Sequence, residues 1–184
     1  PETVAKEQGI IGQEIKMYED DPDWKVMMNL LQSMYRNHPI NIDIAGTVDT
    51  IAKITPETLY ECYNSYYNLN NMVMCIAGNV TPELVLEIAD KKLKNAEKCD
   101  TQSVFPDEPY EVVKHYTEQI LPVAVPMFEI GFKENAPKAF LKTKELICTN
   151  ILLTAFSAES SALYRKLIDE KLINSSFDSE YLEG

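Results

Sequence analysis

Glu7 and Glu14 stand seven residues apart in a run, residues 3–20, whose apolar positions recur at helical spacing. At 100° per residue Glu14 falls about 20° from Glu7, Ile11 and Tyr18 lie within about 40° of it, and Val4 and Ile10 flank the pair at about 60°. Lys6, Gln8, Gly12, Gln13, Lys16 and Glu19 take the other side. A helix that covers a core keeps its acids on the wet face, whereas these two are expected along the centre of the apolar stripe. A carboxylate on a buried stripe needs an Arg, a Lys or a metal ion, and this face carries no cation of its own. Seven residues at ~1.5 Å rise separate the acids by about 10 Å along the axis, too far for both to bind one ion. If the partner is a metal ion, one acid can be a direct ligand and the other would sit behind it. The plainer alternative pairs both acids with basic residues of a neighbouring element.

The elements that must position this pair follow in order. Pro22 ends the first helix and Asp23 is available to cap a second, residues 24–37, with Met27, Met28, Leu30, Leu31 and Met34 on its apolar face. The acidic turn around Pro22 lacks the alternating ligands and glycine of a calcium loop and reads as a solvated turn. His38 precedes Pro39 at the end of that helix, where backbone capping is the plainer role than metal binding. Thr55-Pro56 and Thr81-Pro82 each spell a cap followed by proline at the first helical position, opening helices 56–67 and 83–96. Between them residues 70–79 read as a buried strand ending at Gly78. Residues 98–118 are polar with Pro106 and Pro109 and read as a linker. An edge strand is expected within 119–133 around Pro122 and Pro126, then a helix 137–156, a helix 162–171 capped by Ser160 or Ser161, and an alternating strand from 172. The paired serines serve as caps rather than nucleophiles, since no histidine is near them in sequence.

Composition narrows the function. The chain has 184 residues, 17 basic against 29 acidic, and a net charge of −12. A phosphate-tracking surface needs clustered Lys and Arg, so nucleic acid is excluded and basic peptides are the natural partners. Cys62, Cys75, Cys99 and Cys148 form no CxxC and no dense framework, which favours reduced thiols, no structural zinc and a cytoplasmic setting. No run approaching ~20 apolar residues is expected, and so no membrane partner.

The run Glu7-Gln-Gly-Ile-Ile-Gly-Gln-Glu14, with Tyr18-Glu-Asp-Asp-Pro22 after it, resembles the segment of the pitrilysin/insulinase family of zinc metallopeptidases that carries the third zinc ligand. The order His38-Pro39, Gly46, Ile54-Thr55, Asn79 after Gly78, and Ser160-Ser161-Ala-Leu-Tyr164 through Leu172-Ile173 extends the resemblance to about Tyr181, closest to bacterial processing-protease-like members. The resemblance implies that Glu14 is the zinc ligand and Glu7 the supporting acid. It also implies an upstream HxxEH segment that supplies two histidines and the general base, which this chain, with His38 and His115 only, does not contain. The chain is accordingly expected to be an internal fragment of a zinc metalloendopeptidase, with no catalytic residue of its own and inactive alone. Its expected partners are a peptide or unfolded polypeptide substrate, the upstream segment and downstream domain of the same polypeptide, and a family-paired subunit. Two alternatives stand beside this: a non-catalytic scaffold subunit of the family, and an acidic helical adaptor for a basic partner.

The resemblance further implies an α+β fold: an antiparallel sheet with helices packed on one side, built from two similar halves in tandem. Residues 1–97 would finish the first half, 98–118 link, and 119–184 begin the second.

Overall fold

The computed structural model describes residues 2–93, 101–104, 106–134 and 143–182. All regular structure among them is helical: α1 (Glu2–Glu19), α2 (Pro22–Met34), α3 (Val48–Ile51), α4 (Pro56–Tyr66), α5 (Pro82–Lys92), α6 (Thr143–Ser157) and α7 (Ala162–Asp169), with 3-10 turns at Pro39–Asn41 and Leu69–Asn71. The chain divides into two compact units, 1–131 and 132–184.

The caps explain where the helices start. Thr55, Thr81 and Ser161 each accept a hydrogen bond from the backbone N–H three residues on, opening α4, α5 and α7. Thr47 and Thr50 form a reciprocal capping box at α3. Asp21, rather than Asp23, caps α2, accepting from the N–H groups of Asp23 and Trp24 at 3.0 and 3.4 Å. The acidic turn is thus occupied by capping. His38 Nδ1 accepts from the Ile40 N–H at 3.2 Å and so caps the 3-10 turn.

The first unit is built around α2. Met28, Leu31 and Met34 are buried there with Ile15 of α1. The described part of segment 98–118 and the residues after it run back along α2 as a strap. Glu108 accepts from three successive backbone N–H groups, those of Arg36, Asn37 and His38, just past the helix end. Val113 and Lys114 donate to the Ser33 carbonyl, Ser33 bonds Thr117, and Asn29 donates to Gln119. In the second unit α6 meets α7, where Tyr164 is buried against Phe177, ring centroids 6.2 Å apart.

The expected antiparallel sheet is absent among the described residues, which contain no strand in 70–79, 119–133 or 172–181. A strand exists only when a neighbouring segment takes its N–H and C=O groups. The backbone bonds on and beside these runs include local turns, such as Val80 to Gly78, Val123 to Leu121 and Phe177 to Asn174. Their side chains stay open, Val73 at 98% and Ile120 at 93% exposure, and Pro122 and Pro126 remove donors from the second run. The stripes expected inward on α4 and α5 are uncovered as well, since Leu59, Tyr60, Leu84 and Ile88 are exposed. The starts of the expected linker and of helix 137–156, and the end of helix 83–96, fall outside the described residues.

One stretch bears on the expectation about apolar runs. Within residues 143–169 an 18-residue window is apolar enough by composition to cross a membrane. Among the described residues the stretch is interrupted at 158–161, where Ser161 caps the second helix, so it is not one continuous helix.

Candidate functional site

The helix that carries both acids is pinned by a residue beside them. The Gln8 side-chain amide donates to the carbonyls of Ile51 and Ile54 at 3.0 and 2.8 Å, which ties α1 to the exit of α3. Ile15 is 3% exposed and Ile11 half-buried. Gln8 and Ile15 lie about 80–100° around the helix from Glu7, so the packed stripe is turned by that much from the line of the acids. Glu7 and Glu14 are both exposed, and Ile10 and Met17 on their far side are exposed with them. The premise that both acids sit on a buried stripe is therefore corrected. Polar Gln8 won the inward place because open carbonyls at the end of α3 needed a donor.

Neither acid lies within ion-pair distance of a basic residue among the described residues; the pairs found there are Lys91–Glu87 and Lys166–Glu170. Glu14 instead accepts a hydrogen bond from the Tyr18 hydroxyl at 3.2 Å, one helical turn on. That bond, followed by repulsion from the same carboxylate, raises the Tyr18 pKa above its ordinary value; desolvation and the charge of Asp43 add to it.

Glu14 borders a cleft of about 320 Å³ whose walls are Ile11, Ile15, Tyr18, Trp24, Ile44 and Ala45. The Trp24 and Tyr18 rings lie 5.6 Å apart. Trp24 Nε1 donates to Asp43 Oδ2 at 2.8 Å, and Asp43 Oδ1 accepts from the Ala45 N–H at 2.9 Å, which fixes the indole against the 43–45 loop. Tyr18 was legible as a partner of Glu14 from its spacing of four. Trp24 and Asp43 carried no such local signal, because their bond spans nineteen positions.

As a metal centre the arrangement is incomplete. No group of three or more His, Cys, Asp or Glu capable of holding an ion occurs among the described residues. Glu14, exposed and without a cation partner among the described residues, could hold an ion only together with ligands from outside them; Glu7, about 10 Å along the axis, does not reach the same ion. His38 is engaged with backbone and with the Tyr35 ring at 5.6 Å. Ser161 is occupied as a cap, donating to the Phe156 carbonyl and accepting from the Tyr164 N–H. Cys62, Cys75 and Cys148 are free thiols.

Comparison with known proteins adds what geometry alone does not. The family model of the peptidase M16 inactive domain matches residues 53–182. The uncharacterized zinc protease YmfH of Bacillus subtilis is 37% identical over 97% of this chain and 43% of its own length. The probable inactive metalloprotease YmfF of the same organism is 30% identical over 52% of this chain and 22% of its own length. A crystal structure of an M16-like peptidase from Alicyclobacillus acidocaldarius superposes with a TM-score of 0.76 at 32% identity, covering 96% of this chain and 43% of that one. The chain thus spans under half the length of YmfH and of that structure. With the family model covering most of its residues, and with relatives named zinc proteases along its length, the chain belongs to the M16 peptidase family, the pitrilysin and insulinase group that its residues resemble.

Proposed function

We propose that this chain is part of a zinc-dependent metalloendopeptidase in which Glu14 supplies one metal ligand and Glu7 supports it. The observation that carries the reading is the position of Glu14: an exposed carboxylate with no basic partner among the described residues, held by Tyr18 at the rim of a cleft. The match to the inactive-domain model begins at residue 53, so that label does not reach α1, whereas the likeness to YmfH covers 97% of the chain. Zinc bound with two imidazoles and a carboxylate supplies an activated water for attack on a peptide carbonyl. The residues here contribute the carboxylate and its orientation. The two histidines and the general base belong to an HxxEH segment outside this sequence.

The test uses the longer polypeptide that joins this chain to such a segment. Glu14→Gln is expected to lose zinc and peptide cleavage together while the melting temperature holds, because an amide oxygen is a poor zinc ligand beside a carboxylate. Glu7→Gln is expected to lower rate more than metal content. The 184-residue chain alone is expected to retain no stoichiometric zinc after dialysis, by mass spectrometry. Full zinc and full turnover in Glu14→Gln would remove the ligand role from this position.

A second reading has its own support. The likeness to YmfF, a protein named as inactive, together with the inactive-domain match, supports a non-catalytic subunit that keeps the fold as a scaffold. Absence of HxxEH from the longer reading frame would favour it.

A further inference from the structure

The second unit holds a cavity of about 300 Å³ that shares no residue with the cleft at Glu14. Thr154, Ser157 and Ser179 bring three hydroxyls to it, and their protons are already spent. Thr154 donates to the Asn150 carbonyl and Ser157 to the Leu153 carbonyl, each at 2.8 Å. Ser179 is then the donor in its 2.6 Å bond to Ser157. A serine or threonine hydroxyl has a single proton, so what these three offer a ligand is lone pairs. The fourth hydroxyl belongs to Tyr164, whose side chain is 8% exposed, and it forms no hydrogen bond with a described residue. No sealed side-chain nitrogen or oxygen among the described residues lacks a partner, so this hydroxyl is reached by solvent, through the cavity that the ring lines. The two charged groups of the lining, Glu159 and Asp178, are exposed carboxylates with no ion pair among the described residues. Asp178 Oδ1 accepts from the Ser179 N–H at 2.8 Å, which leaves Oδ2 to face a ligand.

A lining of lone pairs and carboxylates selects a ligand that donates hydrogen bonds and carries positive charge. An alkylammonium has N–H donors and no acceptor, and its stem can lie against Ala158 and the faces of Tyr164 and Phe177, whose ring centroids are 6.2 Å apart. Two carboxylates match two cations. A peptide brings a carbonyl with nearly every N–H, and those carbonyls would meet lone pairs instead of donors. A calcium ion takes about six to eight oxygens and gains nothing from aromatic walls, and no group of three or more acids able to hold one occurs among the described residues. The volume, about 300 Å³, lies at the small end of ligand cavities. We propose that this cavity binds a short free aliphatic diamine. The site goes beyond the peptidase reading and does not depend on the metal-ligand role of Glu14.

The chain, at low micromolar concentration and low salt, is titrated with diaminobutane carrying one amine at each end, and binding is read on the ligand by saturation-transfer NMR. Saturable binding is expected, about threefold tighter than that of butylamine, which lacks the second charge, and butanediol is expected not to compete. Tyr164→Phe removes a hydroxyl that has no partner, so the melting temperature is expected to hold while the diamine binds about threefold more weakly. Asp178→Asn keeps an acceptor for the Ser179 N–H and removes the charge, and it is expected to bring the diamine to the butylamine affinity. Glu61→Gln, which removes an exposed acid from α4, is expected to leave binding unchanged and so separates the cavity from the net charge of −12. Equal affinity for diaminobutane and butanediol, unchanged binding in Tyr164→Phe, or an equal loss in Glu61→Gln and Asp178→Asn would overturn the proposal. So would displacement by calcium chloride at concentrations below the diamine's own, or a blocked lysine peptide bound as tightly as the free diamine.

Discussion

Glu14 shows how far residue type and spacing carry a functional argument. Its place on a helix and its spacing of four from Tyr18 were open to view in the sequence, and the structure joins the two side chains at 3.2 Å. Its burial was not. The helical phase of a stripe cannot say which edge of it packs, and Gln8 took the inward position because the carbonyls of Ile51 and Ile54 needed a donor from α1. The Tyr18–Glu14 bond has a measurable consequence. The phenol holds its proton more tightly than in the unfolded chain, so the bond's contribution to stability is complete below the ordinary tyrosine pKa. It is lost as pH rises through the raised one. In Glu14→Gln, Tyr18 is expected to titrate nearer its ordinary value, followed by NMR of labelled tyrosine. Any gap in melting temperature between that variant and the parent should close in strong alkali. An unmoved Tyr18 titration would show that the carboxylate is not what holds the proton.

Among the elements, helix starts were legible because a cap is a local event: Thr55-Pro56, Thr81-Pro82 and Ser161 each bond to an N–H three positions on. Strands were not, because an apolar run needs a second run to pair with, and 70–79 finds none among the described residues. The strap along α2 was hidden for a similar reason. Polar residues and prolines in 98–118 spell a linker, while the attachment depends on Glu108 reaching three N–H groups seventy positions away. Past the end of α2 those donors have no helical partner, and a carboxylate satisfies them with charge-assisted bonds. Glu108→Ala is expected to cost about 1 kcal/mol, since water can take over the exposed Arg36 and Asn37 N–H groups, read as a lower urea midpoint. Gly131→Ala tests the far end of the same packing. A Cβ there would run into the Met34 sulfur and sit 3.1 Å from Leu30 Cδ1. Met34 is buried, so it has little room to move, and a loss of about 1–3 kcal/mol is expected from overpacking. If neither substitution shifts the midpoint, the strap does not stabilise α2.

At the scale of the whole molecule the decisive quantity is surface. The chain exposes 15847 Å², whereas a folded monomer of its 20.9 kDa exposes about 9,000 Å². Treating units 1–131 and 132–184 as separate folded bodies raises the expected figure only to about 10,500 Å², so the surplus does not depend on how they are arranged. Much of that surplus is apolar: Tyr60, Val73, Ile88, Ile120, Phe132 and Ile151 are all exposed. These are the residues that the apolar patterning places in a core, so the sequence reports a burial that the chain by itself does not achieve. The surplus is larger than the ~1,600 Å² of an ordinary stable interface. Apolar patches of this extent drive association when nothing else covers them. The isolated chain is therefore expected to brighten a hydrophobic dye such as anilinonaphthalene sulfonate and to sediment as species larger than 20.9 kDa at concentrations of about 10 µM and above. Replacing Val73 and Ile120 with threonine, which removes two of the most exposed apolar side chains and no hydrogen bond, should weaken both signals without lowering helicity. A chain that stays monomeric and dye-silent would mean that its apolar runs bury themselves in solution, and the open arrangement of 70–79 and 119–133 would then be wrong.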